Sequence, residues 1–171
     1  MLKKLMQTDE DVGMLIVRLA LGIVMFPHGA QKLLGWFGGG GFAATMQGMT
    51  GMGLPAVIVF LVILFEFFGS LSLISGFLGR VGAFGILCVM LGAVLTVHLP
   101  NGFFMNWFGA LPSGSEGFEY HLLVITVALI VTIKGSGALS LDAWLADGLR
   151  DRGDAVTPSE RPVRARAAAA A

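Results

Sequence analysis

Five ionisable side chains stand inside long apolar runs: Arg18, His28 and Lys32 in the first, Glu66 at the middle of the second, and His98 near the end of the third. At the centre of a membrane-spanning helix such a group costs roughly 2.5–3.5 kcal/mol on insertion scales, so each needs a partner or a purpose. At about 100° per residue, Arg18, Met25, His28 and Lys32 fall within about one quarter of a helix circumference and form one stripe. Glu66 lies about eleven residues into a run that returns the other way. That depth matches the stripe between Arg18 and His28, so the spacing predicts an Arg18–Glu66 ion pair shared with His28. Such a pair can simply neutralise itself and fix helix register. Alternatively, carboxylate and imidazole line a polar cavity and pass protons or hydrogen-bond a polar head group.

All three histidines, His28, His98 and His121, are expected near the same end of three different helices, together with Lys32, Glu116 and Glu119. Imidazole and carboxylate suit zinc, copper or iron, but no local spacing such as HxxxH supports a metal site and none is expected. Met46, Met49 and Met52 recur at single-turn spacing, which more often packs a short amphipathic helix than it binds copper. A quinone site asks for less: an apolar slot, with a histidine or acid at each carbonyl to handle the proton that accompanies electron transfer. His28, Glu66 and His98 are the candidate proton-handling groups. The chain has no flavin or nucleotide motif. Its single cysteine, Cys88, excludes a two-cysteine relay within the chain. Any electrons must come from another subunit.

The elements that position these residues follow from composition. The chain of 171 residues is 56% hydrophobic and 13% charged, with a mean hydropathy of +0.83, which points to a membrane as its solvent. Lys+Arg and Asp+Glu balance at 11 each, so bulk charge gives no support for a nucleic-acid partner. The expected partners are membrane lipid and other membrane subunits, in a homo- or hetero-oligomer. Spans are expected over about Val12 to Leu34, Leu54 to Phe77 and Val81 to Leu99. A fourth needs to begin near Glu116 and bury Glu119 and His121. The fold class expected is therefore all-α, an integral membrane bundle of four transmembrane helices. Lys3 and Lys4 precede an apolar run as in a signal peptide. However, Asp9, Glu10 and Asp11 intervene and Arg18 interrupts the run, so a retained first helix is expected.

The loops orient this bundle. Gly35 to Gly53 and Pro100 to Gly117 contain no Lys or Arg, whereas Lys3, Lys4, Arg80, Lys134, Arg150 and Arg152 share the other side. By the positive-inside rule both termini are cytoplasmic and both long loops face outward, with Trp36, Phe37, Phe103, Phe104, Trp107 and Tyr120 forming an interfacial aromatic belt. Leu139 to Leu149 is expected to lie on the inner surface, anchored by Trp144. Residues 1–149 form one transmembrane domain and 150–171 a disordered tail.

Arg18-Leu-Ala-Leu-Gly22, Pro27-His28-Gly29-Ala-Gln-Lys32 and Glu66-Phe-Phe-Gly69 resemble the DoxX family of small four-helix bacterial membrane proteins. Gly76-Phe-Leu-Gly-Arg80, His98 with Asn101-Gly102, Glu119-Tyr120 and Ser140-Leu-Asp142 continue the likeness in order, from about Leu15 to Trp144. The resemblance implies a multi-pass protein of the bacterial inner (plasma) membrane, associated with quinone-linked oxidoreductases or with complexes that handle thiol and oxidative stress. Carried over, the family's polar pattern falls on Arg18, His28, Lys32, Glu66, Arg80, His98 and Glu119. Thiol chemistry by paired cysteines, used in a related branch, is not open to Cys88 alone.

Two readings follow. In one, the chain is a redox-associated subunit whose Arg18, His28, Lys32, Glu66, His98 and Glu119 bind a quinone or similar lipid-soluble head group, and it is not a stand-alone enzyme. In the other it is a non-enzymatic accessory or scaffold subunit, packed through Gly69, Gly76, Gly82, Gly85 and Gly92. A transporter or an oligomeric pore is the third and less natural reading.

Overall fold

In the computed structural model, which describes residues 5–109, 111–112 and 114–156, Asp11 opens the first long helix. Its backbone is extended and its carboxylate accepts the Met14 amide at 3.2 Å, as an N-cap does. Helix α1 then runs Val12–Leu34 and stops at Gly35, whose φ of 74° a side chain rarely adopts. A single turn, Trp36–Gly38, leads to helix α2, Gly41–Gly51, which carries Met46 and Met49 and buries no residue. Helix α3 spans Ala56–Ser75, and Gly76, with φ 68°, ends it. Helix α4 begins at Gly79 and is α-helical to Ala93, then continues as a π-helical turn, Val94–His98, and a tighter turn, Leu99–Asn101. Helix α5 is Glu119–Lys134, and helix α6 is Leu141–Val156. Every regular element among the described residues is helical.

Helix α1 packs on α3, α3 on α4, α4 on α5, and α5 returns to α1. The ring encloses a core of Met14, Leu21, Met25, Leu73, Ile86, Val124 and Val131. Close approach needs residues without a side chain: a Cβ on Gly29 meets the backbone of Glu66 and Phe67 at 2.5 Å, and one on Gly82 meets the Gly69 carbonyl oxygen at 2.8 Å. The outward faces are apolar, with Ile16, Ile23, Phe60, Phe68, Phe84 and Leu95 all exposed. Water-soluble monomers rarely expose apolar faces of this kind.

Three helical stretches are long and apolar enough to cross a membrane: Val12–Leu34, Ala56–Ser75 and Gly79–Asn101. The fourth differs from expectation. It begins at Glu119 rather than near Glu116 and has 16 residues, about 24 Å at 1.5 Å per residue. The cause is local. The amides of Gly117, Phe118 and Glu119 donate to the carbonyls of Phe104, Gly102 and Phe103, so the chain before Glu119 pairs with the preceding loop instead of coiling.

Helix α6 starts two residues later than expected and continues to Val156, with Trp144 72% exposed. The rest of the tail, 157–171, for which disorder is expected, lies outside the described residues, as do Lys3 and Lys4.

Candidate functional site

The polar residues separate into two groups at opposite ends of the bundle. At the end where α1 begins, Arg18 is 1% exposed, and all its hydrogen-bond partners are backbone carbonyls, with the Asp142 carboxylate within electrostatic range. Its Nε donates to Ser136 at 2.7 Å. One terminal nitrogen donates to Leu73 and to Ile74 (2.9 Å), the other to Leu139 (3.3 Å) and, more weakly, Ala138 (3.5 Å). Leu73 and Ile74 lie in the last turn of α3, where carbonyls have no intrahelical donor. Arg18 thus caps α3 and holds the turn between α5 and α6. Arg80 does the same for α5, donating to Thr132 (2.7 Å), Ile133 and Lys134 (3.0 Å), and also to Gln7 (3.1 Å). Asp142, 1% exposed, accepts the Leu78 amide (2.8 Å), the Gly79 amide (3.1 Å) and the Ser136 hydroxyl (2.6 Å), which pins α6 to the start of α4.

The expected Arg18–Glu66 pair is therefore not formed, and helix register explains why. Gly29 lies level with Glu66 and Phe67, and Gly22 with Leu73 and Ile74. Arg18 is eleven residues below Gly29, so it sits about 16 Å from the level of Glu66. The carboxylate is met instead by Lys32, one turn above Gly29, at 2.5 Å. Glu66 is 4% exposed, and the lysine side chain is partly open.

Around that pair lie the remaining polar groups. His28 lies within electrostatic range of both Lys32 and Glu66, and Tyr120 within range of Glu66. Pro27, just before His28, lacks an amide proton and so leaves the Ile23 carbonyl without its helical donor. His98 and His121 stack with ring centroids 4.0 Å apart, and His28 is in electrostatic range of His121. Of the three histidines expected to converge, His98 and His121 meet, while His28 is exposed and shares only their end of the bundle. His98 is aimed by the π-helical turn, in which the Leu99 amide reaches back five residues to Val94. Pro100 cannot donate to Thr96 and its ring crowds that carbonyl, which favours the wider turn. The His98 Nδ1 is 2.8 Å from the Glu116 carbonyl oxygen.

Glu119 stands apart from this cluster, its carboxylate accepting the indole N–H of Trp107. A recess of about 330 Å³ opens beside it in the loop, lined by Asn101, Phe103, Phe104, Trp107 and Leu111. Among the described residues, no three His, Cys, Asp or Glu side chains are grouped to hold a metal ion. Sequence position puts Tyr120 in the aromatic belt, yet it lies within range of the Glu66 carboxylate. Its hydroxyl and the Nδ1 of His121 are buried without a hydrogen-bond partner. Its adjacency to His121 on the first turn of α5 is the signal that could have found it.

Comparison with known proteins agrees with this architecture. The chain is 34% identical over 140 residues to "Inner membrane protein YqjF" of Escherichia coli (strain K12), covering 82% of this chain and 97% of that one. It is 27% identical over 146 residues to "Putative oxidoreductase CatD" of Bacillus subtilis (strain 168), covering 85% of this chain and 96% of that one. No solved structure matches the chain. The DoxX family profile matches residues 13–99. With three helices able to cross a bilayer and apolar faces turned outward, the chain is a bacterial membrane protein and belongs to the DoxX family.

Proposed function

We propose that the chain is a redox-associated subunit of the bacterial inner membrane that binds a quinone or similar lipid-soluble head group among Lys32, Glu66, His28, His98 and His121. The observation that carries this reading is a buried Glu66 paired with a partly open Lys32, with the His98–His121 stack and His28 at the same end of an otherwise apolar bundle. Groups that exchange protons near neutral pH are costly in a membrane and are kept where protons move or a polar ligand binds. A quinone supplies electron and proton acceptance. The protein's own groups would hold its head group, with His28 and the Lys32–Glu66 pair as the proton-handling groups. With one cysteine and no nucleotide motif, the chain takes electrons from a partner. That a relative bears the word oxidoreductase in its name is consistent with this reading.

In this reading α5 is the fourth crossing: Leu123, Leu129, Ile130 and Ile133 are exposed along its outer face, as lipid contact requires. The loops bearing Trp36, Phe37, Phe103, Phe104 and Trp107, all exposed, face outward, and both termini are cytoplasmic. Quinone extracted from the purified native protein is expected at one per chain, falling to background in His28→Ala and Glu66→Gln. Unchanged quinone content and unchanged oxidase activity of membranes carrying either variant sink the reading.

A second reading, an accessory subunit that scaffolds a larger complex, draws on Gly92. A Cβ there meets nothing within 4 Å, so this side of α4 is open to a neighbour. Crosslinking in native membranes that yields only monomer removes it.

A further inference from the structure

Three buried side-chain polar atoms among the described residues have no hydrogen-bond partner: Arg80 Nε, the Tyr120 hydroxyl and His121 Nδ1. The first belongs to a guanidinium whose other nitrogens are bound to four carbonyls. The other two have no such explanation. They are neighbours on the first turn of α5, with rings edge to face at 5.7 Å, and His121 is only 7% exposed. His121 lies against His98, and Tyr120 is close enough to Glu66 to feel its charge. Buried hydroxyls and imidazole nitrogens are seldom left unpaired. Two of them on adjacent residues, one within range of the buried Glu66 carboxylate and the other against His98, mark a place where polar atoms of something else belong.

The chemistry of that occupant is constrained. A tyrosine hydroxyl donates one hydrogen bond, and an imidazole nitrogen donates or accepts according to its tautomer. Lys32 and Glu66 offset each other at 2.5 Å, so the place suits an uncharged ligand better than an anion or a cation. A neutral carbonyl compound meets these conditions. Resting on the quinone reading above, we propose that the Tyr120 hydroxyl donates to a carbonyl oxygen of the head group and that His121 Nδ1 is its second polar contact.

The test uses the full chain in phosphatidylcholine nanodiscs, with short-chain ubiquinone labelled with ¹³C at its carbonyl carbons as the probe, read by infrared difference spectroscopy and by titration. A carbonyl band of the bound probe is expected at lower wavenumber than in protein-free discs. Tyr120→Phe, which keeps the ring, should return that band to the free position and weaken binding roughly five- to tenfold, the loss of one hydrogen bond. His121→Phe should weaken binding comparably, and the thermal midpoint of Tyr120→Phe should stay that of the parent. If the parent binds the probe but Tyr120→Phe and His121→Phe leave band and affinity unchanged, the two atoms hold only water and the assignment is overturned while the quinone reading stands. If the parent does not bind the probe, the quinone reading itself fails and takes the assignment with it.

Discussion

The two ends of the bundle use the same kinds of residue in opposite ways. Where α1 begins, Arg18, Arg80 and Asp142 chiefly address the backbone: helix-end carbonyls for the arginines, the Leu78 and Gly79 amides for the aspartate, which also accepts the Ser136 hydroxyl. At the loop end, Lys32 pairs with Glu66 and His121 lies against His98 and Tyr120, His98 alone also meeting a backbone carbonyl, and two polar atoms remain unpaired. Backbone partners are fixed by the fold and cannot leave. A side-chain cluster can exchange a partner for a ligand without unfolding anything. The contrast teaches that a buried charge in a membrane protein is read from what it bonds, not from its being there.

The largest effect that separates the two ends is expected at Arg18. In Arg18→Met the carbonyls of Leu73, Ile74, Ser136 and Leu139 lose their donor, those of Leu73 and Ser136 in buried contacts. Each orphaned group costs about 1–3 kcal/mol, so the loss should reach ~3 kcal/mol or more. Titration of the micelle-solubilised protein with SDS, followed by helical circular dichroism, measures it. A loss below ~1 kcal/mol would break the comparison at its structural end.

Gly29→Ala comes next. The added methyl meets the Glu66 and Phe67 backbone at 2.5 Å, and two helix backbones cannot yield as a flexible side chain can. Overpacking of this kind costs roughly 1–3 kcal/mol. Separation of α1 from α3 also lengthens the Lys32–Glu66 contact, so weaker quinone binding should accompany the lower SDS midpoint.

How much of this was legible in the sequence depends on the kind of information needed. Periodicity placed Arg18, His28 and Lys32 on one face, and hydropathy placed the three long spans within a few residues of Val12–Leu34, Ala56–Ser75 and Gly79–Asn101. Angular position is a property of one helix. Depth relative to a second helix is not: it is set by where Gly22 and Gly29 let α1 settle against α3, and this moved the partner of Glu66 from Arg18 to Lys32. The start of α5 was likewise fixed by long-range pairing of residues 117–119 with residues 102–104, which no local pattern reports. The meeting of His98 with His121 needed only the order and direction of the helices, and so it was visible.

Glu66→Gln should separate binding from folding. The amide is isosteric, its oxygen can still accept from Lys32, and the partly open lysine can extend toward the loop end. A stability change within ~1 kcal/mol is expected, together with loss of bound quinone. If instead this variant unfolds as readily as Arg18→Met, the loop-end pair is as structural as the arginine cap.

The smallest effect is expected at Gly92, and it sharpens the comparison from outside the bundle. Gly69, Gly82 and Gly85 are already consumed by contacts within the ring, where an added Cβ meets a carbonyl, a serine or the Phe65 ring. Gly92 meets nothing. In an isolated chain Gly92→Ala removes backbone freedom without a clash and should be neutral or stabilising by up to ~1 kcal/mol. Native crosslinking of Gly92→Leu then asks what lies beyond the bundle. If α4 is lined only by lipid, the larger side chain changes neither the SDS midpoint nor the crosslinked species. If a partner helix packs on Gly92, the midpoint holds while the crosslinked complex disappears, because the residue would be closing an interface and not the fold.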